Sequence, residues 1–139
     1  MATVYTASAT STGGGRDGHV RSSDGFIDND VKMPPALGGP GGATNPEELF
    51  AAAYSTCFHS ALRMVAGKQK IKLPADANVE AAIGIGPDDT GFAITATLTA
   101  SLPGLDQEAA DALVEAAHQV CPYSKATRGN VDVTLVAKV

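Results

Sequence analysis

Apolar positions along this chain recur at two periods, and the switches between them mark out its elements. The longest helical pattern runs from Asn45 to Lys68. Within it Leu49, Phe50, Ala53, Tyr54, Cys57, Ala61, Leu62 and Val65 follow one another at spacings of one, three and four, a stripe that contains a thiol. Its start is well signalled: Asn45 suits a cap, Pro46 the first helical position, and Glu48 the acceptor of a capping box. Between Glu48 and Arg63 there is no Asp, Glu, Lys or Arg, and His59 is the single histidine. A helix so uncharged all round is expected to be largely buried.

Elsewhere the period is mostly two. Thr3 to Ala9 alternates and predicts an edge strand, followed by a glycine-rich stretch from Ser11 to Gly18 and a second short strand at His19 to Ser22. Asp24-Gly25 predicts a hairpin turn into a third strand between Phe26 and Met33. Pro34 to Thr44, broken by Pro34, Pro35 and Pro40, is a loop leading to the long helix. Lys68, Lys70 and Lys72 suit that helix's C-terminal end. Val79–Gly86 and Phe92–Leu102 alternate around Pro87–Gly91 and predict a hairpin. Asp106 to Val120 returns to the helical period, with Leu105, Ala109, Ala112, Leu113, Ala116, Ala117 and Val120 on one face. Pro122 stops it beside Cys121, Ser124–Thr127 adds a turn, and Val131–Val139 alternates as a last strand. The order strands, helix, hairpin, helix, strand predicts an α+β fold with mainly antiparallel sheets. Without internal repeats or a linker, residues 1–139 are expected to form a single domain.

Composition narrows the function. With 44% hydrophobic residues but only 5% aromatic and no Trp, burial falls to Ala, Val, Leu and Ile, which implies close packing. A net charge of -5 argues against binding nucleic acid or an anionic membrane surface. There is no basic and apolar leader at Met1–Thr10 and no long apolar run, so a soluble cytoplasmic protein is expected. In a reducing compartment, two cysteines are more often inert core residues than a structural bridge.

The candidate chemistry nonetheless centres on those cysteines. Cys57, set in an apolar stripe, has a raised pKa unless a cation lies near it. Cys121, at a helix C-terminus, gains nothing there as a thiolate and suits a second, responding thiol. His118, three residues before Cys121, shares its helix face, while His59 points away from Cys57. Neither a CxxC nor an HxxxH spacing supports zinc. Arg16, flanked by Gly13–Gly15 and Gly18, is the cation to watch, because those glycines allow close backbone approach. Glu47 sits in the first turn of the long helix, about 15 Å along the axis from Cys57, so an arginine must bridge them or a second subunit contribute. On these grounds a cysteine hydrolase pairing Cys57 with His118, and a dimeric binding protein with two inert thiols, both stay open.

The motifs around these residues are similar to a known family. Gly14-Gly15-Arg16-Asp17-Gly18, Ser22-Ser23-Asp24-Gly25, Thr44-Asn45-Pro46-Glu47-Glu48-Leu49-Phe50 ahead of Cys57-Phe58, and Val120-Cys121-Pro122-Tyr123-Ser124 closely resemble the organic hydroperoxide resistance branch of the OsmC/Ohr family. The resemblance spans the chain, and the two cysteine contexts carry it. It implies an intertwined homodimer with two interface sites, and a thiol peroxidase that reduces alkyl or fatty-acid hydroperoxides. Cys57 would be the attacking cysteine and Cys121 the resolving one, joined by an intrasubunit disulfide. Arg16 would hold the thiolate and Glu47 would orient Arg16, both reaching the site from the partner subunit. Phe50, Tyr54 and Leu62 would line an apolar substrate pocket. A dithiol, the lipoyl group of a lipoylated protein, would reopen the disulfide, and no metal or other cofactor would take part.

Overall fold

The computed structural model describes all 139 residues, and the chain falls into two compact units, Met1–Leu49 and Phe50–Val139. In the first, β1 (Ala9–Gly13), β2 (Gly18–Ser22) and β3 (Asp28–Val31) form an antiparallel sheet in that order. The turn between β1 and β2 is closed by a hydrogen bond from Gly14 N–H to Asp17 O (2.9 Å). A Cβ on Gly14 would stand 2.6 Å from that same oxygen, so only glycine fits there. This turn pairs Gly13 with Gly18 and moves the first strand later in the chain than the expected Thr3–Ala9. The alternation of Thr3 to Ser8 therefore ends without a partner strand. The Asp24-Gly25 turn is as expected, with Gly25 at φ 79° and its N–H on Ser22 O.

After a single 3-10 turn at Pro35–Leu37, Thr44 forms a parallel bridge with Val31, and Lys32 N–H bonds Thr44 O. Helix α1 (Pro46–Lys68) starts at once. Asn45 caps it as expected, its Oδ1 accepting the Glu48 N–H at 2.8 Å. The box is not reciprocal, because the Glu48 carboxylate accepts from the Thr44 hydroxyl instead (3.0 Å).

The second unit holds the core. The α1 side chains Tyr54, Phe58, Ala61, Leu62, Val65 and Ala66 are buried in one cluster with Ala96, Leu98, Ala100 and Leu102, and with Ala110, Leu113, Val114 and Ala117. The helix is largely buried between Leu49 and Leu62 as expected, but not all round: Ala52, Thr56, Ser60, Arg63 and Met64 form an exposed face of α1. Strands β4 (Asn78–Asp88) and β5 (Gly91–Ser101) make the expected hairpin, with Ala96, Leu98 and Ala100 turned inward at period two. The Asp88 carboxylate ties its two-residue loop by accepting the Thr90 N–H at 2.8 Å.

The last strand, β6 (Asp132–Lys138), lies parallel to β5, so this sheet of order β4-β5-β6 is mixed. A parallel partner requires a crossover, and helices α2 (Gln107–Val120) and α3 (Pro122–Thr127) supply it. The Asp106 side chain caps α2 by accepting the Ala109 N–H. The inward face of α2 is rotated from the expected one, with Ala110 and Val114 inside while Ala112 and Val120 are exposed.

Candidate functional site

Local chemistry builds one candidate cluster within each unit. In the first, the glycine turn raises Arg16 between β1 and β2, while the Thr44 bridge to β3 sets the start of α1, and with it Glu47. The two side chains meet as a fork: Arg16 Nη1 donates to Glu47 Oε2 at 2.9 Å, and Nη2 to Oε1 at 2.7 Å. Such paired, charge-assisted bonds fix the guanidinium plane as well as its position. The Arg16 hydrogen bond holds the Glu47 carboxyl below the usual carboxylate range, and Glu47 in turn raises Arg16. Beside them Lys32 Nζ binds Asp17 Oδ1 at 2.5 Å, tying the Arg16 turn to the end of β3.

In the second unit the two thiols meet. Cys57, halfway along α1, is partly exposed, whereas Cys121 is fully buried. Their sulfurs are 3.7 Å apart, with both thiols free. A covalent bond needs an approach of only about 1.7 Å more. Of the two sulfurs, Cys57 is the one open to solvent, and Cys121 lies behind it.

The junction between α2 and α3 makes that contact. Cys121 closes α2 through its N–H on Ala117 O (2.9 Å) and opens α3, whose first residue is Pro122. Sequence reasoning placed Cys121 only at a helix C-terminus; it also stands at the N-terminus of the next helix. Proline has no N–H, so Tyr123 supplies the first free backbone donor of α3, and that amide acts to lower the Cys57 pKa. Burial nevertheless dominates and pushes the Cys57 thiol up, the Tyr123 amide pulls it down, and Cys121 adds to the upward push. Tyr123 was missed because the donor is backbone; its only trace in the sequence is the proline before it.

Phe50, Tyr54 and Tyr123 form an aromatic cluster next to these thiols, with ring centroids 5.9–6.4 Å apart. Phe50 is half-buried and Tyr123 is exposed, so both offer surface to a bound molecule. The expectation that Tyr54 and Leu62 line a pocket is corrected: both have 0% exposure and belong to the core. The Tyr54 hydroxyl is already engaged, by Ser124 Oγ at 2.9 Å and Thr127 Oγ1 at 3.0 Å. His118 is not hydrogen-bonded to either thiol. Its buried Nδ1 has no partner, and burial, then Arg128, lowers its pKa.

The model of the family described as OsmC-like protein matches residues 39–136. The organic hydroperoxide resistance protein of Xanthomonas axonopodis pv. citri is 50% identical over 133 residues, covering 95% of this chain and 93% of that one. OhrB of Bacillus subtilis is 48% identical, covering 97% and 98%. The crystal structure of an organic hydroperoxide resistance protein from Legionella pneumophila superposes with a TM-score of 0.92 at 49% identity, over 99% of this chain and 100% of that one. The chain therefore belongs to the OsmC/Ohr family, in the branch of its organic hydroperoxide resistance proteins.

Proposed function

We propose that this protein is a thiol peroxidase that protects the cell by reducing organic hydroperoxides, with Cys57 as attacker and Cys121 as resolver. The observation that carries this reading is the reachable Cys57 with a fully buried second thiol 3.7 Å behind it. The Cys57 thiolate attacks the distal peroxide oxygen, the alcohol leaves, and Cys57 becomes a sulfenic acid. Cys121 then condenses with it, losing water and forming the disulfide. A dithiol, by family resemblance a lipoyl group, takes that disulfide back to two thiols while being oxidised itself.

Because burial raises the Cys57 pKa, the thiolate needs a cation. Arg16, oriented by Glu47, is the cation we assign, and we place the assembled site in a homodimer in which the partner subunit supplies this pair. The half-buried Phe50 and the exposed Tyr123 present apolar walls, which favours alkyl or fatty-acid hydroperoxides over hydrogen peroxide. No helix is long and apolar enough to cross a membrane, in keeping with work in the cytoplasm.

Thiol titration after one equivalent of tert-butyl hydroperoxide tests the reading. Loss of both thiols per chain is expected; a hydrolase or a binding protein would keep both. Cys57→Ser should consume no peroxide, and Cys121→Ser should complete one turnover and stall. If Cys121→Ser cycles normally with a dithiol, the resolving role is wrong.

A further inference from the structure

Three hydroxyl groups buried beneath the thiols have no part in the chemistry above. Tyr54 and Ser124 are fully buried and Thr127 is 4% exposed. The Tyr54 oxygen lies 2.9 Å from Ser124 Oγ and 3.0 Å from Thr127 Oγ1. Proton counting fixes who donates. The Thr127 hydroxyl lies 3.2 Å from the Ser124 carbonyl, which can only accept, so it gives its one proton there. Tyr54 must then donate to Thr127, and Ser124 to Tyr54. The result is a closed ring, Ser124 Oγ to Tyr54 to Thr127 to Ser124 O, in which every hydroxyl proton is used. No proton is left to offer a thiol, so the ring is not an acid.

Its position gives it another use. Tyr54 lies one turn before Cys57 on α1, and Ser124 three residues after Cys121 on α3. The two helices are thus joined by paired contacts one turn apart, sulfur to sulfur and hydroxyl to hydroxyl. Helix α3 has only six residues, too few to hold its own geometry, and its inward face is Ser124 and Thr127.

We propose that the Ser124–Tyr54–Thr127 hydroxyl ring is a positioning device that docks α3 on α1 and so sets Cys121 within bonding reach of Cys57. This rests on reading Cys121 as the responding thiol. The ring holds the resolving helix while the sulfurs close the remaining distance.

The test needs no peroxide. With dithiobis(nitrobenzoate), Cys57 forms a mixed disulfide and releases one nitrothiobenzoate; Cys121 then displaces the second, giving the Cys57–Cys121 disulfide, each thiol losing its proton to solvent. Tyr54→Phe keeps the ring contacts with Phe50 and Tyr123 but breaks the chain of hydroxyls. The second release should slow on the order of 10-fold, and far more than the first. The triple variant Tyr54→Phe, Ser124→Ala, Thr127→Val removes the stranded polar groups, so its melting temperature should recover while its second release stays slow. An unchanged second release in Tyr54→Phe, equal slowing of both releases, or wild-type release in the triple variant would each overturn the proposal. Wild-type protein that resolves the mixed disulfide yet ignores tert-butyl hydroperoxide would sink the peroxidase reading and leave the positioning role standing.

Discussion

Cys57 in its own unit is held toward the protonated form: burial outweighs the Tyr123 amide, and the neighbouring thiol adds to burial. On the proposed reading the activating charge is a separate group, Arg16, and removing it is the test. Arg16→Ala should move the midpoint of the Cys57 alkylation profile up by about 1–3 pH units, with peroxide reactivity falling alongside. An unchanged profile would return Arg16 to a surface turn. Glu47→Ala should act more weakly on the thiol, since it frees the guanidinium without removing it. Its cost at the helix end should be no more than about 1 kcal/mol. The acid limit has a definite sign. The pKa of Glu47 is depressed in the folded protein, so the Arg16 fork is intact above the usual carboxylate range and is lost as pH falls through the depressed value.

Among the elements, those signalled by local chemistry were legible in the sequence. Asn45-Pro46 and Asp106 announce their helices because a cap acts within one turn of itself, and the Asp88–Gly91 loop announces its hairpin for the same reason. Strand β1 was displaced because Thr3–Ala9 alternates as well as the true strand does, and the Gly14–Asp17 turn decides the register. The parallel pairing of β6 was not legible, since a strand's own residues do not name its neighbour. The cysteines stood out by residue type, whereas the pairing of Arg16 with Glu47 came only from the family resemblance. The Tyr123 amide and the hydroxyl ring did not stand out, because both exist only once α3 is docked. A further element-scale expectation concerns His19 on β2, which bonds Asp30 on Nδ1 (2.9 Å) and Asp28 on Nε2 (2.5 Å), both on β3. Only the protonated ring donates from both nitrogens, and Asp30, then Asp28, raises its pKa. The clamp is thus fully present below the ordinary histidine pKa and is lost as pH rises through the raised value. Amide exchange in β2 and β3 should quicken across that range beyond its intrinsic rise, and the excess should vanish in His19→Gln. An excess surviving in His19→Gln would assign it to another group.

At the scale of the whole molecule, each unit leaves apolar surface that a lone chain does not cover. In the first unit Val31 is the one buried apolar side chain, and Phe26 is 92% exposed. In the second, Met64 and Phe92 are 47% and 70% exposed, and the outer face of α1 offers Ala52, Thr56 and Ser60 ahead of its one charge, Arg63. On small units with so little aromatic content, exposed side chains of this size fit an interface with a second copy of the chain. That copy is also where the proposed site draws its arginine. We therefore expect a homodimer at micromolar concentration by light scattering, and expect Phe26→Glu or Met64→Glu to lower the mass and the peroxidase rate together while Cys57 still alkylates. Mixing Cys57→Ser chains with Arg16→Ala chains sharpens the expectation. Each homodimer should be nearly inactive, but a mixed dimer brings an intact Arg16 from the first chain to an intact Cys57 on the second, and activity should reappear as subunits exchange. A monomer that is fully active at micromolar concentration, or mixed chains that stay inactive after exchange, would place Arg16 and Cys57 of a working site on the same chain.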